Sequence, residues 1–85
     1  MYYVYITRSS VDGKLYIGYT NDLKRRLAEH NTDKSFHTKG RGPFELIYYE
    51  AYKSKFDARD RERKLKGFKN SYKQLKIRIS ASLDE

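Results

Sequence analysis

The chain has 85 residues, no cysteine and a formal charge of +8, from 19 Lys and Arg against 11 Asp and Glu. So short a chain holds a single domain with a small core, expected over residues 1–80, with 81–85 as a frayed tail. The absence of cysteine excludes disulfides and thiolate metal sites, which fits a reducing compartment and makes a cytoplasmic location the expectation. No apolar run approaches the roughly 20 residues that cross a bilayer, and residues 1–6 carry no basic leader, so neither a membrane anchor nor a signal peptide is expected.

The basic balance favours a polyanionic partner. Nine tyrosines and four phenylalanines lie among the cations. Aromatic faces in a positive field suit nucleic acid, although a solvated basic surface would have the same composition.

Residues 2–8 alternate as a strand, with Tyr3, Tyr5 and Thr7 on one face and Tyr2, Val4 and Ile6 on the other. Asp12-Gly13 is a favoured hairpin dipeptide, and residues 14–19 form the return strand. Pairing like faces would set Val4 and Ile6 beside Leu15 and Ile17, and Tyr3 and Tyr5 beside Tyr16 and Gly18. A helix then spans roughly 22–31, with Asn21 as its expected N-cap. At about 100° per residue, Leu23 and Leu27 make its apolar stripe, and Arg26 and His30 fall on or beside that stripe. A helix that only had to pack would place apolar side chains there.

Residues 32–43 read as a polar, basic loop, in which Lys39 and Arg41 are candidate phosphate contacts; a solvated connector is the equal alternative. Residues 44–53 form a third strand. Ser54 can cap a second helix over about 55–66, with Gly67 as its C′ residue. In that helix Ala58, Glu62 and Leu65 share one stripe, so Glu62 is either half-buried and paired with an arginine or working in a site. A third helix over about 71–79 offers Tyr72, Leu75 and Ile79, with Asn70 as its expected N-cap.

The ordered set Tyr3-Val4-Tyr5, Tyr16-Ile17-Gly18, Arg26, His30 and a later helical Glu62 resembles the GIY-YIG nuclease family. The second triplet is intact. In the first, Tyr3 stands where the family often has glycine and Val4 where it often has isoleucine. The stretches 16–31, 42–50 and 58–62 look like the small, single-domain bacterial members, and the likeness covers about residues 2–75. The resemblance implies an α+β fold, a three-stranded antiparallel sheet flanked by helices in the order β-β-α-β-α-α. It implies metal-dependent phosphodiester cleavage with one divalent cation, Mg²⁺ or Mn²⁺, held by the glutamate. The implied partner is nucleic acid, with DNA expected. Larger relatives attach separate DNA-binding domains, and none is expected within these 85 residues, which leaves room for a protein partner that supplies specificity.

Such cleavage needs an activated water, charge to stabilise the phosphate and help for the leaving oxygen. Glu62 is the acid to assign to the metal, since a hard cation takes oxygen ligands and can complete its shell with water and phosphate. Arg26 suits the phosphate, because its planar fork spans two oxygens and stays charged. Tyr5 and Tyr16 are candidates to orient or deprotonate water; a free phenol has a pKa of about 10, so that role needs a nearby cation. His30 is placed to take a proton from a tyrosine or touch phosphate, and Gly18 to let substrate or helix approach the strand. The bland alternatives are cross-strand packing for the tyrosines, a helix C-terminal position for His30, and a buried Arg26–Glu62 salt bridge. If the residues form a site, all five converge on one concave surface of the sheet. Three functions are open: a metal-dependent endonuclease, a nucleic-acid-binding module without turnover, and a partner-dependent interaction domain.

Overall fold

A computed structural model describes residues 1–32 and 43–85; the candidate contacts Lys39 and Arg41 lie outside the described residues. The fold is α+β. Strands β1 (Tyr2–Ser9), β2 (Leu15–Thr20) and β3 (Phe44–Tyr52) form one antiparallel sheet in the order β2-β1-β3. Helix α1 (Leu23–Asn31) follows β2, and α2 (Lys55–Gly67), α3 (Lys69–Arg78) and α4 (Ser80–Asp84) follow β3.

The β1–β2 register pairs Tyr5 with Gly18 and Ile6 with Ile17, so the faces divide as the alternation predicts. The connecting turn closes through the Ser9 N–H on the Lys14 carbonyl (3.0 Å) and the Gly13 N–H on the Ser9 carbonyl (2.9 Å). Gly13 sits at φ 70°, a conformation that L side chains rarely adopt. On one face Val4 and Ile6 meet Ala58 and Leu65 of α2, with Leu75 and Ile79 beyond them. Full burial of Ile6 or Leu65 contributes about 1.5–3 kcal/mol each. The other face carries Tyr5 and Phe44, against which α1 lays His30.

The same face that holds the core also holds a polar knot absent from the sequence reading. Arg61 of α2 grips Glu50 of β3 through Nε (3.0 Å) and Nη2 (3.1 Å). The Tyr48 hydroxyl donates to the same carboxylate at 2.6 Å, and the Tyr52 hydroxyl donates to its other oxygen. Burial alone would raise the Glu50 carboxyl, but Arg61 and the two phenols outweigh it and hold it below the usual range. Burial, then the carboxylate, push both phenols up to about 12. The knot ties α2 to β3 at the residue next to Glu62.

Helix boundaries differ from expectation at three caps. Asp22, not Asn21, caps α1, because its carboxylate reaches the Arg25 N–H (3.0 Å) while Asn21 accepts from the Arg25 guanidinium. Ser54 caps α2 as expected, accepting from the Phe56 N–H. Gly67 lies inside α2, and Asn70 lies inside α3, whose N-cap is Phe68. Residues 81–85, expected to fray, lie largely within α4 instead. Arg8 holds that end, donating to the carbonyls of Leu83 (2.7 Å) and Glu85 (3.2 Å), while Leu83 packs on the core.

Candidate active site

Strand β2 is an edge strand, so side chains from both faces of the sheet reach round it. There they line a cleft of about 520 Å³ that brings together all five predicted residues, Tyr5, Tyr16, Arg26, His30 and Glu62, with Gly18, Lys66 and Tyr72 beside them. The cleft wraps the sheet edge, whereas the strand and helix patterns predict a site on one concave face. Tyr5, Arg26 and His30 enter from the side that α1 covers, and Glu62 enters from α2.

Tyr5 is the most enclosed member, at 3% exposure. Its ring lies across Gly18 of the neighbouring strand, so close that a Cβ there would stand 2.3 Å from both Cζ and the hydroxyl oxygen. Gly18 thus accommodates the motif's own tyrosine rather than a substrate or a helix. The Tyr5 hydroxyl is 2.8 Å from His30 Nε2, in a buried pair. His30 is 5% exposed and wedged against Phe44, with ring centroids 5.6 Å apart. Burial, with help from the Arg26 charge, lowers the His30 pKa below its ordinary 6.5, so the ring is neutral at pH 7.

Burial raises the Tyr5 phenol above its ordinary 10.0, although a hydrogen bond with Arg26 pulls the other way. The cation expected beside the tyrosine is present, but burial outweighs it. Arg26 stays charged: burial opposes its charge, while Tyr5 and Glu29 more than offset that, the latter through a 3.4 Å ion pair. Tyr16 packs edge-on against Phe44 and donates its hydroxyl to Asp12 at 3.2 Å. The backbone N–H of Lys14, first, and then the Tyr16 phenol hold the Asp12 carboxyl below its usual range.

Glu62 points between the buried Ala58 and Leu65, with its side chain 22% exposed. Its ion-pair partner is Lys66, at 3.0 Å and one turn on, so the suggested Arg26–Glu62 salt bridge does not form. Among the described residues, no three His, Cys, Asp or Glu side chains cluster as a ready metal cage. A single carboxylate facing a cleft still fits a magnesium-like cation, which takes one or two carboxylates and completes its shell with water and substrate phosphate. Lys66 is half exposed, and its surface bridge, worth well under about 1 kcal/mol, is easily displaced. Sequence reasoning missed Lys66, and it read Asp12 only as a turn residue. The i,i+4 spacing of Glu62 and Lys66 was the available signal for the first.

The family model of the GIY-YIG catalytic domain matches residues 1–76. A UPF0213 protein of Bacillus pumilus is 40% identical over 77 residues, spanning 89% of this chain and 78% of that one. A UPF0213 protein of Halobacterium salinarum is 41% identical over 75 residues, spanning 87% of this chain and 96% of its own. Among solved structures, the solution NMR structure of a UPF0213 protein from Bacillus halodurans matches with a TM-score of 0.57 and 37% identity, over 93% of this chain and 85% of that one. The chain therefore belongs to the GIY-YIG family, alongside these UPF0213 proteins. Among the described residues, no helix is long and apolar enough to cross a membrane.

Proposed function

We propose that the cleft hydrolyses phosphodiester bonds of nucleic acid, with DNA as the substrate and a divalent cation, Mg²⁺ or Mn²⁺, as cofactor. The observation that carries this is the convergence of both motif tyrosines, Arg26, His30 and Glu62 on one cleft. Glu62 would hold the cation, which when bound supplies positive charge against the phosphate. Arg26 holds a phosphate oxygen with charge that does not titrate away. Neutral His30 accepts from the Tyr5 hydroxyl, so Tyr5 can take a proton from the attacking water as it passes its own to Nε2. This relay suits a phenol that burial keeps protonated at rest. Tyr16, held by Asp12, orients the water or the leaving oxygen. Lys39 and Arg41 are proposed as further phosphate contacts, and a cytoplasmic setting agrees with the absence of cysteine.

The alternative, a module that binds without turnover, draws on the lone carboxylate and its lysine partner. Incubation with branched, flapped and single-stranded DNA in Mg²⁺ or Mn²⁺ decides between them. Cutting that EDTA stops supports the nuclease; tight binding with no cutting in either metal supports the module.

His30 gives the reading a pH signature. Its folded pKa lies below 6.5, so between the two values the unfolded chain binds the proton first. The stability His30 contributes is complete above about pH 6.5, declines as pH falls towards the folded pKa, and levels off below it. Cleavage should fall at the lower edge of that window, as pH passes through the folded pKa and His30 loses its capacity to accept. Melting curves across pH 4.5–7.5, compared with His30→Gln, check this; identical acid slopes in the two chains would contradict it.

A further inference from the structure

A second groove, of about 410 Å³, opens where β2 ends and α1 and α2 begin. Tyr19 and Arg26 line both this groove and the catalytic cleft, so the two are continuous. Arg25, Lys55 and Arg59 line its far part, with Glu29 as the one acid, already paired with Arg26. Arg25, Lys55 and Arg59 form no ion pair with the described residues, whereas Arg61, Arg63, Lys64 and Lys66 on the same helix as Arg59 all do. The Arg59 guanidinium lies 4.7 Å above the Tyr19 ring, which runs nearly parallel to Tyr2 at 9°. That stacking directs the arginine along the groove without neutralising it.

We infer that this groove is a nucleic-acid backbone track, in which Arg25, Lys55 and Arg59 hold the phosphates next to the one in the cleft. It rests on the proposed reading of the cleft as a nucleic-acid site. Continuity through Arg26 sets the direction, since a polyanion seated on Arg26 meets these three cations next. The uncompensated charge sets the ligand class: each cation that neutralises a phosphate releases counterions and adds to the salt dependence of binding.

The experiment measures binding of labelled single-stranded and duplex oligonucleotides by fluorescence anisotropy in EDTA, between about 50 and 200 mM salt, so that no cleavage is needed. The chains are the parent, the triple variant Arg25→Ala/Lys55→Ala/Arg59→Ala, and a charge-matched triple variant of exposed cations on α3, Lys69→Ala/Lys73→Ala/Arg78→Ala. The track variant should lose roughly 2–3 from the log–log salt slope, at about 0.7 per contact for single strands and 0.9 for duplex. Its low-salt affinity should fall by about tenfold or more, and the α3 variant should stay close to the parent. Melting temperatures confirm that each chain is folded. Equal losses in both triple variants, or none in the track variant while the parent binds, would overturn the track and leave the cleft reading standing. A parent that binds neither oligonucleotide would overturn the cleft reading, and the track with it.

Discussion

Glu62→Gln is expected to abolish cleavage while the chain stays folded and continues to bind nucleic acid. Glutamine keeps the size and shape of the side chain and removes the charge that a hard cation requires. The structural loss is small, because the partner of Glu62 is Lys66, one helical turn away and half exposed; such pairs are worth about 0.3–0.5 kcal/mol. Binding persists or tightens, since a carboxylate that repels phosphate is gone. Arg26→Ala should cost cleavage roughly 10²-fold or more, as for loss of a transition-state charge stabiliser, with a smaller loss of affinity. Had Arg26 and Glu62 been partners, each change would strand a buried charge and lower the melting temperature steeply. Their separate pairings, Glu62 with Lys66 and Arg26 with Glu29 and the Tyr5 phenol, predict instead that melting moves little for Glu62→Gln and modestly for Arg26→Ala, while cleavage collapses in both. Two well-folded variants that cut as fast as the parent would remove both residues from the mechanism.

Three members of the candidate site stood out because they broke a local pattern, whereas Tyr5 and Tyr16 fit the strand alternation and stood out only through the ordered motif set. Arg26 and His30 occupy positions that a packing helix would give to apolar residues, and Glu62 lies between Ala58 and Leu65 on a buried stripe. The strand alternation set the faces of β1 and β2 correctly, since a period of 2 leaves only two choices. The Glu50–Arg61 knot carried the same kind of signal and went unread. Glu50 alternates with Tyr48 and Tyr52 on the inward face of β3, so an acid there needed a partner as much as Glu62 did. The caps were misjudged because Asn21 and Asp22 are both good N-caps, and which one serves depends on where β2 releases the chain. The helix over 80–84 is held at its Leu83 carbonyl by Arg8, 75 positions earlier, and no local pattern announces that. The groove of Arg25, Lys55 and Arg59 is equally non-local, since it joins the starts of two helices, Leu23 and Lys55, that the sequence sets 32 residues apart.

Gly18→Ala is expected to be among the most damaging single-methyl changes in the chain, and to act through Tyr5. Replacing glycine by alanine within a strand ordinarily helps, because glycine loses more backbone entropy on folding. Here the new Cβ would lie 2.3 Å from Tyr5 Cζ and its oxygen, and 2.8 Å from Cε1. The ring cannot give way cheaply: Tyr5 is 3% exposed, and its hydroxyl is tied to His30. Overpacking of this kind costs about 1–3 kcal/mol, and loss of the hydroxyl's hydrogen bond adds about 1 kcal/mol. For a domain of this size that amounts to a fall in melting temperature on the order of 10 °C or more. Cleavage should fall with it, because the displaced phenol leaves both His30 and the cleft. The control is a double-mutant cycle with Tyr5→Leu, whose side chain stops short of the clash. In that background Gly18→Ala should be neutral or slightly stabilising, so the coupling should exceed about 1 kcal/mol and the effect should change sign. An equal cost of Gly18→Ala in both backgrounds would show that the glycine serves the strand itself, and that Tyr5 does not depend on it for its place beside His30.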